Sequence, residues 1–321
     1  MSARDVLPGL MLLGLLALAP LVASNAALNF LLSSLIVALA AQGWNLLGGY
    51  AGQLSFGHAA FFGTGAYATA ILQLRYGVNA WAGLAIGVAL GALVGWAIGF
   101  LSFRARLRGS YFALVTLAFA EVLRILANAF DLTGGAAGLL IRMAPGAANL
   151  QFPSRATFLW LVLAVVAAVL LLTAWIAGGR LGARLVAVRE NEDAARALGV
   201  DALRTKLGAI ALSGAITAAA GCLYAQNFLY LDANIAYGTW ISVEVLIACV
   251  LGGSGTVLGP VIGALALHGA GEAAKIALAG IAGPVPGIDL VLFGALLILA
   301  VAFLPQGVMG GLRRAARGLA R

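Results

Sequence analysis

Apolar positions come in long unbroken runs, with polar, Gly or Pro breaks between them, almost from one end of the chain to the other. A helix needs roughly 20 mostly apolar residues to cross a hydrocarbon core about 30 Å thick. By that measure the pattern predicts spans near 8–24, 28–47, 57–74, 80–103, 110–128, 156–177, 207–229, 239–252, 257–279 and 285–304. The run at 239–252 is short for a full crossing. No soluble domain of useful size fits between the runs, so residues 1–321 read as one all-α polytopic membrane domain of about ten helices. The first run carries Arg4 offset by Asp5 ahead of it, and a cleaved secretory leader needs a positive start, so retention as a first span is expected.

Composition agrees: 63% of residues are hydrophobic and 9% charged, against about 25% charged in soluble domains. The formal charge of +8 would point to nucleic acid in a soluble protein, so the positions of the basic residues matter. With an even number of spans both termini share a side. Arg4, Arg104, Arg106, Arg108, Arg180, Arg184, Arg189, Arg196, Arg204, Lys206, Arg313, Arg314, Arg317 and Arg321 then fall on that side, and Arg75, Arg124, Arg142, Arg155 and Lys275 on the other. The positive-inside rule makes the first side cytoplasmic, termini included. Charge dispersed over several loops at one membrane face serves topology and anionic lipid, not nucleic acid. Enzyme chemistry finds no footing either. Two distant histidines, His58 and His268, and two cysteines inside apolar runs, Cys222 and Cys249, form no catalytic or metal cluster, and no Walker motif is present.

The 178–206 stretch crowds charges of both signs: Arg180, Arg184, Arg189, Arg196, Arg204 and Lys206 with Glu190, Glu192, Asp193 and Asp201. Asp193, Ala194, Ala195, Ala197 and Leu198 predict a short helix, acidic at its start as the helix dipole favours, and Gly199 is placed to end it. Asp193-Ala194-Ala195, three residues, then Gly199 resembles the Glu-Ala-Ala-x-x-x-Gly loop of ATP-binding-cassette (ABC) importer permeases. Asp193 stands for the usual Glu. That family's downstream Ile-x-Leu-Pro appears as Ile210, Ala211, Leu212 and Ser213, shifted by one residue and without the Pro. The resemblance implies a cytoplasmic coupling loop that docks on an ATPase through Glu190, Glu192, Asp193, Ala194, Ala195 and Gly199.

A second unusual stretch, GYAGQLSFGHAAFFGTGAY at 49–67, sets Gln53, Ser55, Gly57 and His58 among glycines and aromatics. Non-helical backbone is tolerated in lipid only where protein or a watery cavity satisfies it, so this segment borders a pathway or packs in the centre. It resembles the same stretch of the branched-chain amino acid permeases, in particular the second permease subunit type of the pair. RGSYFALVTLAFAEVLRIL at 108–126 and VLGGSGTVLGPVIGA at 250–264 resemble the same subunits. The resemblance implies a homologous partner permease, two cytoplasmic ABC ATPases, a periplasmic solute-binding protein and a bacterial inner-membrane location. The chain itself is then a transport subunit that binds no cofactor, the ATP being hydrolysed by its partners. Urea and short-chain amide permeases share these signatures and stand as the alternative, with an ion-coupled secondary transporter further off. The LGG triplets at 47–49 and 251–253 hint at internally similar halves.

Ionisable residues inside apolar runs are costly and tend to be functional. Glu121 and Arg124 lie three apart on one helix face and are expected to pair, as are Glu272 and Lys275. Glu244 has no partner at helical spacing on its own run. A zwitterionic substrate with an apolar side chain needs dipoles more than fixed charges along its route. Asn45, Gln53, Ser55, Gly57, His58 and Thr116 fit that need, and Glu121 and Glu244 complete the candidate pathway. The loops at 129–155 and 230–238, with Asp131, Arg142, Arg155 and Asp232, are the expected docking surface for a binding protein.

Overall fold

The computed structural model describes residues 3–282, with 291, 294–295 and 307–310 beyond them. Helices α1 (Ala3–Val22) and α2 (Asn25–Trp44) come first, with the Ser24 hydroxyl accepting from Ala27 N to cap the second. α2 runs on into a π-helical turn, Asn45–Tyr50. The chain then loses helical form until α3 (His58–Tyr76), which is followed by α4 (Ala80–Arg104), α5 (Ser110–Ala129) and α6 (Arg155–Gly178). Two short helices, α7 (Arg180–Glu190) and α8 (Glu192–Ala197), lead to the 27-residue α9 (Ala202–Phe228). α10 (Ala233–Ala236), α11 (Thr239–Gly252) and α12 (Gly259–Ala282) complete the described order.

Among the described residues, six helices are long and apolar enough to cross a membrane: 25–50, 80–104, 110–129, 155–178, 202–228 and 233–252. α1, α3 and α12 occupy the first, third and ninth expected runs but fall outside that set. The tenth run lies almost wholly outside the described residues, as do the C-terminal arginines and the side chains of Arg4 and Lys275. The short run at 239–252 is prolonged by α10, which precedes it across the turn Tyr237–Gly238.

α9 and α2 form the centre. α9 packs on α4, α3 and α2, while α2 also meets α12, α6 and α11, and α1 packs outside on α6. The seam between α4 and α9 is made by glycine. Gly83, Gly87, Gly91, Gly95 and Gly99 recur every fourth residue and all are buried, Gly87 to Gly99 against α9 and Gly83 against Thr69 of α3. A β-carbon at Gly91 would sit 2.3 Å from Ala218 Cβ, and one at Gly95 would sit 2.7 Å from the Ile210 carbonyl. Small residues that let backbones approach this closely are how helices associate where lipid removes the hydrophobic drive.

The helix ends gather at two poles. At one, α7 and α8 lie against the π turn and the start of α9. At the other, Leu139–Leu140 (β1) pairs antiparallel with Tyr230–Leu231 (β2), tying the 129–155 loop to the 230–238 loop. There Arg75 Nε donates to the Leu132 carbonyl at 3.1 Å, and Trp81 Nε1 to the Ala147 carbonyl at 2.9 Å. Reading 178–206 as a loop with one short helix missed α7, because its charged sequence carries no apolar run.

Candidate functional site

Three groups of candidate residues occupy distinct places. The first is the break between α2 and α3. Its backbone polar groups cannot be left bare inside lipid, where each would cost several kcal/mol. Phe56 N is taken by Thr116 Oγ1 of α5 at 3.2 Å, Gly57 N by Ser55 Oγ at 3.2 Å, and Ala59 N by Ser242 Oγ of α11 at 2.9 Å. Trp44 Nε1 donates to the Ser55 carbonyl at 2.9 Å. Gly57 precedes α3 because a β-carbon there would lie 2.5 Å from the Thr116 carbonyl. His58, wholly buried, places Nε2 2.8 Å from Ser213 Oγ of α9, while its Nδ1 has no partner among the described residues. Gln53 is half-buried, its amide donating to the Ala51 carbonyl at 3.1 Å. The segment therefore packs in the centre of the bundle, with Ser55, His58 and Thr116 turned to holding it.

Asn45 does a related task one turn earlier. Its Nδ2 donates to the Thr256 carbonyl at 2.8 Å, and its Oδ1 accepts from Gly255 N at 2.7 Å. Gln42 Nε2 donates to the Val257 carbonyl at 2.5 Å. The two LGG turns thus meet: a β-carbon on Gly49 would lie 2.5 Å from Gly255 N. The sequence signal was the repeated triplet, but nothing local to it says that the two copies touch.

The second group is the α7–α8 arm. Asn191 caps α8, its Oδ1 accepting from Asp193 N and Ala194 N at 3.1 and 3.0 Å. The helix ends at Gly199 in a left-handed conformation (φ 84°), and Val200 N returns to the Ala195 carbonyl at 3.0 Å, so the expected start and stop are both present. Ala195 is buried with Val188 and Ala202, while Asp193, Ala194 and Leu198 are exposed, Leu198 at 86%. Glu192 holds the arm to the bundle. It meets the buried Lys206 of α9 at 3.0 Å, Arg196 at 2.6 Å and Arg108 at 3.6 Å, with Lys206 also 4.8 Å from the Phe103 ring centre. Glu190 pairs with Arg189 at 2.6 Å. Arg189 in turn donates through Nη1 to the Gly49 carbonyl at 2.9 Å, a contact that links the arm to the break.

The third group is the intramembrane acids. Glu121 and Arg124 pair at 2.5 Å as their spacing predicts, and Arg124 also donates to Asn234 Oδ1 of α10 at 2.6 Å. Glu121 is partly exposed and lies apart from the break. Glu244 finds its partner on the next helix, where His268 Nε2 is 2.8 Å from Oε1. The Ser34 hydroxyl donates to the Phe30 carbonyl at 2.8 Å, so its oxygen accepts from His268 Nδ1, 3.1 Å away. That turns Nε2 to the Glu244 carboxyl oxygen. No cluster of three or more His, Cys, Asp or Glu side chains suited to a metal occurs among the described residues.

Residues 26–301 match the family model described as branched-chain amino acid transport system / permease component. The chain belongs to this permease family. It is 30% identical to the high-affinity branched-chain amino acid transport system permease protein LivM of Escherichia coli (strain K12), over 94% of this chain and 74% of that protein. It is 28% identical to the corresponding permease protein LivH of Salmonella typhimurium (strain LT2), over 85% of this chain and 91% of that one. No solved structure matches it. Membership of this permease family, with the six apolar helices, makes the chain a multi-pass membrane protein. The family match spans the break, the α7–α8 arm and the Glu244–His268 pair alike.

Proposed function

We propose that this chain is the second permease subunit of an ABC importer that carries branched-chain amino acids into the cytoplasm of a bacterial cell. It crosses the inner membrane about ten times with both termini inside, and it works with a homologous permease, two cytoplasmic ATPases and a periplasmic binding protein. The observation that carries this reading is the Arg189–Gly49 contact, because it joins an ATPase-docking arm to the interrupted centre of a chain in the permease family. The exposed face of α8, with Asp193, Ala194 and Leu198, is the surface an ATPase would grip. Likeness to both LivM and LivH supports a partner permease of the same build. The candidate route runs past Gln53 at the break, with Asn45, Ser55, Gly57, His58 and Thr116 setting its walls and Glu121 and Glu244 on its far half.

The test is ATP-dependent uptake by the complete complex reconstituted in vesicles with its binding protein. Leucine uptake that stops without ATP supports the reading. Uptake of urea but not leucine replaces it with the amide-permease alternative, and uptake by this chain alone, driven by an ion gradient, overturns it.

A further inference from the structure

A cavity of about 190 Å³ opens beside the Glu244–His268 pair, between α2, α3, α9, α11 and α12. That is below the ~300 Å³ at which pockets for drug-sized ligands begin, so its occupant is a small molecule. Ile36, Val37, Ala40, Phe62, Ile241 and Val245 give it apolar walls. The Glu244 carboxyl is 8% exposed, with Oε1 held by His268, whereas Oε2 makes no hydrogen bond among the described residues. Phe228 and Trp240, 48% and 41% exposed, stand at its open side. At ~1.5 Å per residue, Glu244 lies about 8 Å along α11 from Thr239, so this acid is set inside the apolar run.

We propose that this cavity holds the amino acid in transit, taking its aliphatic side chain against the apolar walls and its ammonium group at Glu244 Oε2. The inference rests on the importer reading above and adds to it the place where the substrate pauses. The chemistry matches on both counts. A carboxyl oxygen accepts hydrogen bonds from an ammonium group, and apolar walls suit an aliphatic side chain. The apolar walls have no use in passing urea, which carries no aliphatic group. The substrate carboxylate stays at the mouth, by Trp240. His268 is a positioning residue here, holding Oε1 so that Oε2 faces the cavity.

The experiment uses the complete complex in vesicles, with radiolabelled leucine as the probe. Glu244→Gln replaces the carboxyl oxygen offered to the ammonium with an amide group, while Val37→Phe fills the cavity and leaves the pair alone. Each is expected to lower leucine uptake by about tenfold or more, the scale of one lost charge-assisted hydrogen bond or one blocked site, while the complex assembles in unmodified yield. Glu244→Asp is expected to restore part of the uptake lost in Glu244→Gln. Leucine uptake at the unmodified rate in both variants overturns the site, as does a loss of assembled complex that matches the loss of uptake. No leucine uptake by the unmodified complex overturns the importer reading and this inference with it.

Discussion

Arg189, on the last turn of α7, donates its guanidinium to the carbonyl of Gly49 in the π turn, 2.9 Å away. Its side-chain carbons also cover Gly52, where φ is 67° and a β-carbon would lie 2.4 Å from Arg189 Cγ. Arg189 thus ties the arm to the break between α2 and α3, beside the tie that Glu192 makes to Lys206 of α9. Arg189→Ala is expected to leave membrane insertion intact and to lower uptake by about tenfold. A hydrogen bond from a charged group contributes about 1.5–3 kcal/mol, enough for that loss if it is made in only one state of the cycle. ATP hydrolysis and uptake measured side by side in vesicles decide it, and an unchanged ratio of the two refutes the link.

Lys206 and Glu192 form a pair with side chains 4% and 10% exposed. Removing one partner of such a pair leaves the other uncompensated, at a cost of about 3–5 kcal/mol. Glu192→Leu is expected to lower the melting temperature of the detergent-solubilised chain clearly. Adding Lys206→Leu should recover part of that loss, because the buried charge goes too. A double variant that melts lower than either single one would show that the pair is not acting as a unit.

The glycine seam makes a sharp contrast between neighbouring positions. Gly91→Leu drives a side chain into Ala218 and Gly214, and is expected to destabilise by about 1–3 kcal/mol or to abolish folding. At Gly83 the nearest atoms to a β-carbon are 3.4 Å away, an ordinary contact, so Gly83→Ala should be tolerated. Yield of monodisperse protein after solubilisation reads both, and equal yields would mean that the two helices are farther apart than described.

Asn45 spends both ends of its amide on the turn before α12. Asn45→Leu leaves Gly255 N and the Thr256 carbonyl without those bonds, at about 1–3 kcal/mol each. Uptake is expected to fall together with thermal stability. Asn45→Asp, which keeps an acceptor for Gly255 N, should lose less stability than Asn45→Leu; the reverse order would argue against the clamp.

Sequence reading reached the helices because lipid imposes a strong and simple rule: apolar runs long enough to cross become helices. α8 was legible too, since Asp193, the alanines and Gly199 state its start, body and stop locally. α7 was not, because its residues favour helix without an apolar run to announce it. At the site, the Glu121–Arg124 pair followed from a spacing of three. The Glu244–His268 pair did not, because its members sit 24 positions apart on different helices, and only their packing decides that they face each other. Asn45, Ser55 and Thr116 were readable as polar groups in an apolar setting, but whether they serve substrate or backbone depends on partners far away in sequence, such as Gly255 and Phe56.

Where α4 and α9 touch, Gly91 and Gly95 rest close to the carbonyls of Gly214 and Ile210, which leaves little slack at that boundary. Such a join does not flex by degrees. The two helices must travel as a single plank, and any bending that opens a passage has to be absorbed elsewhere.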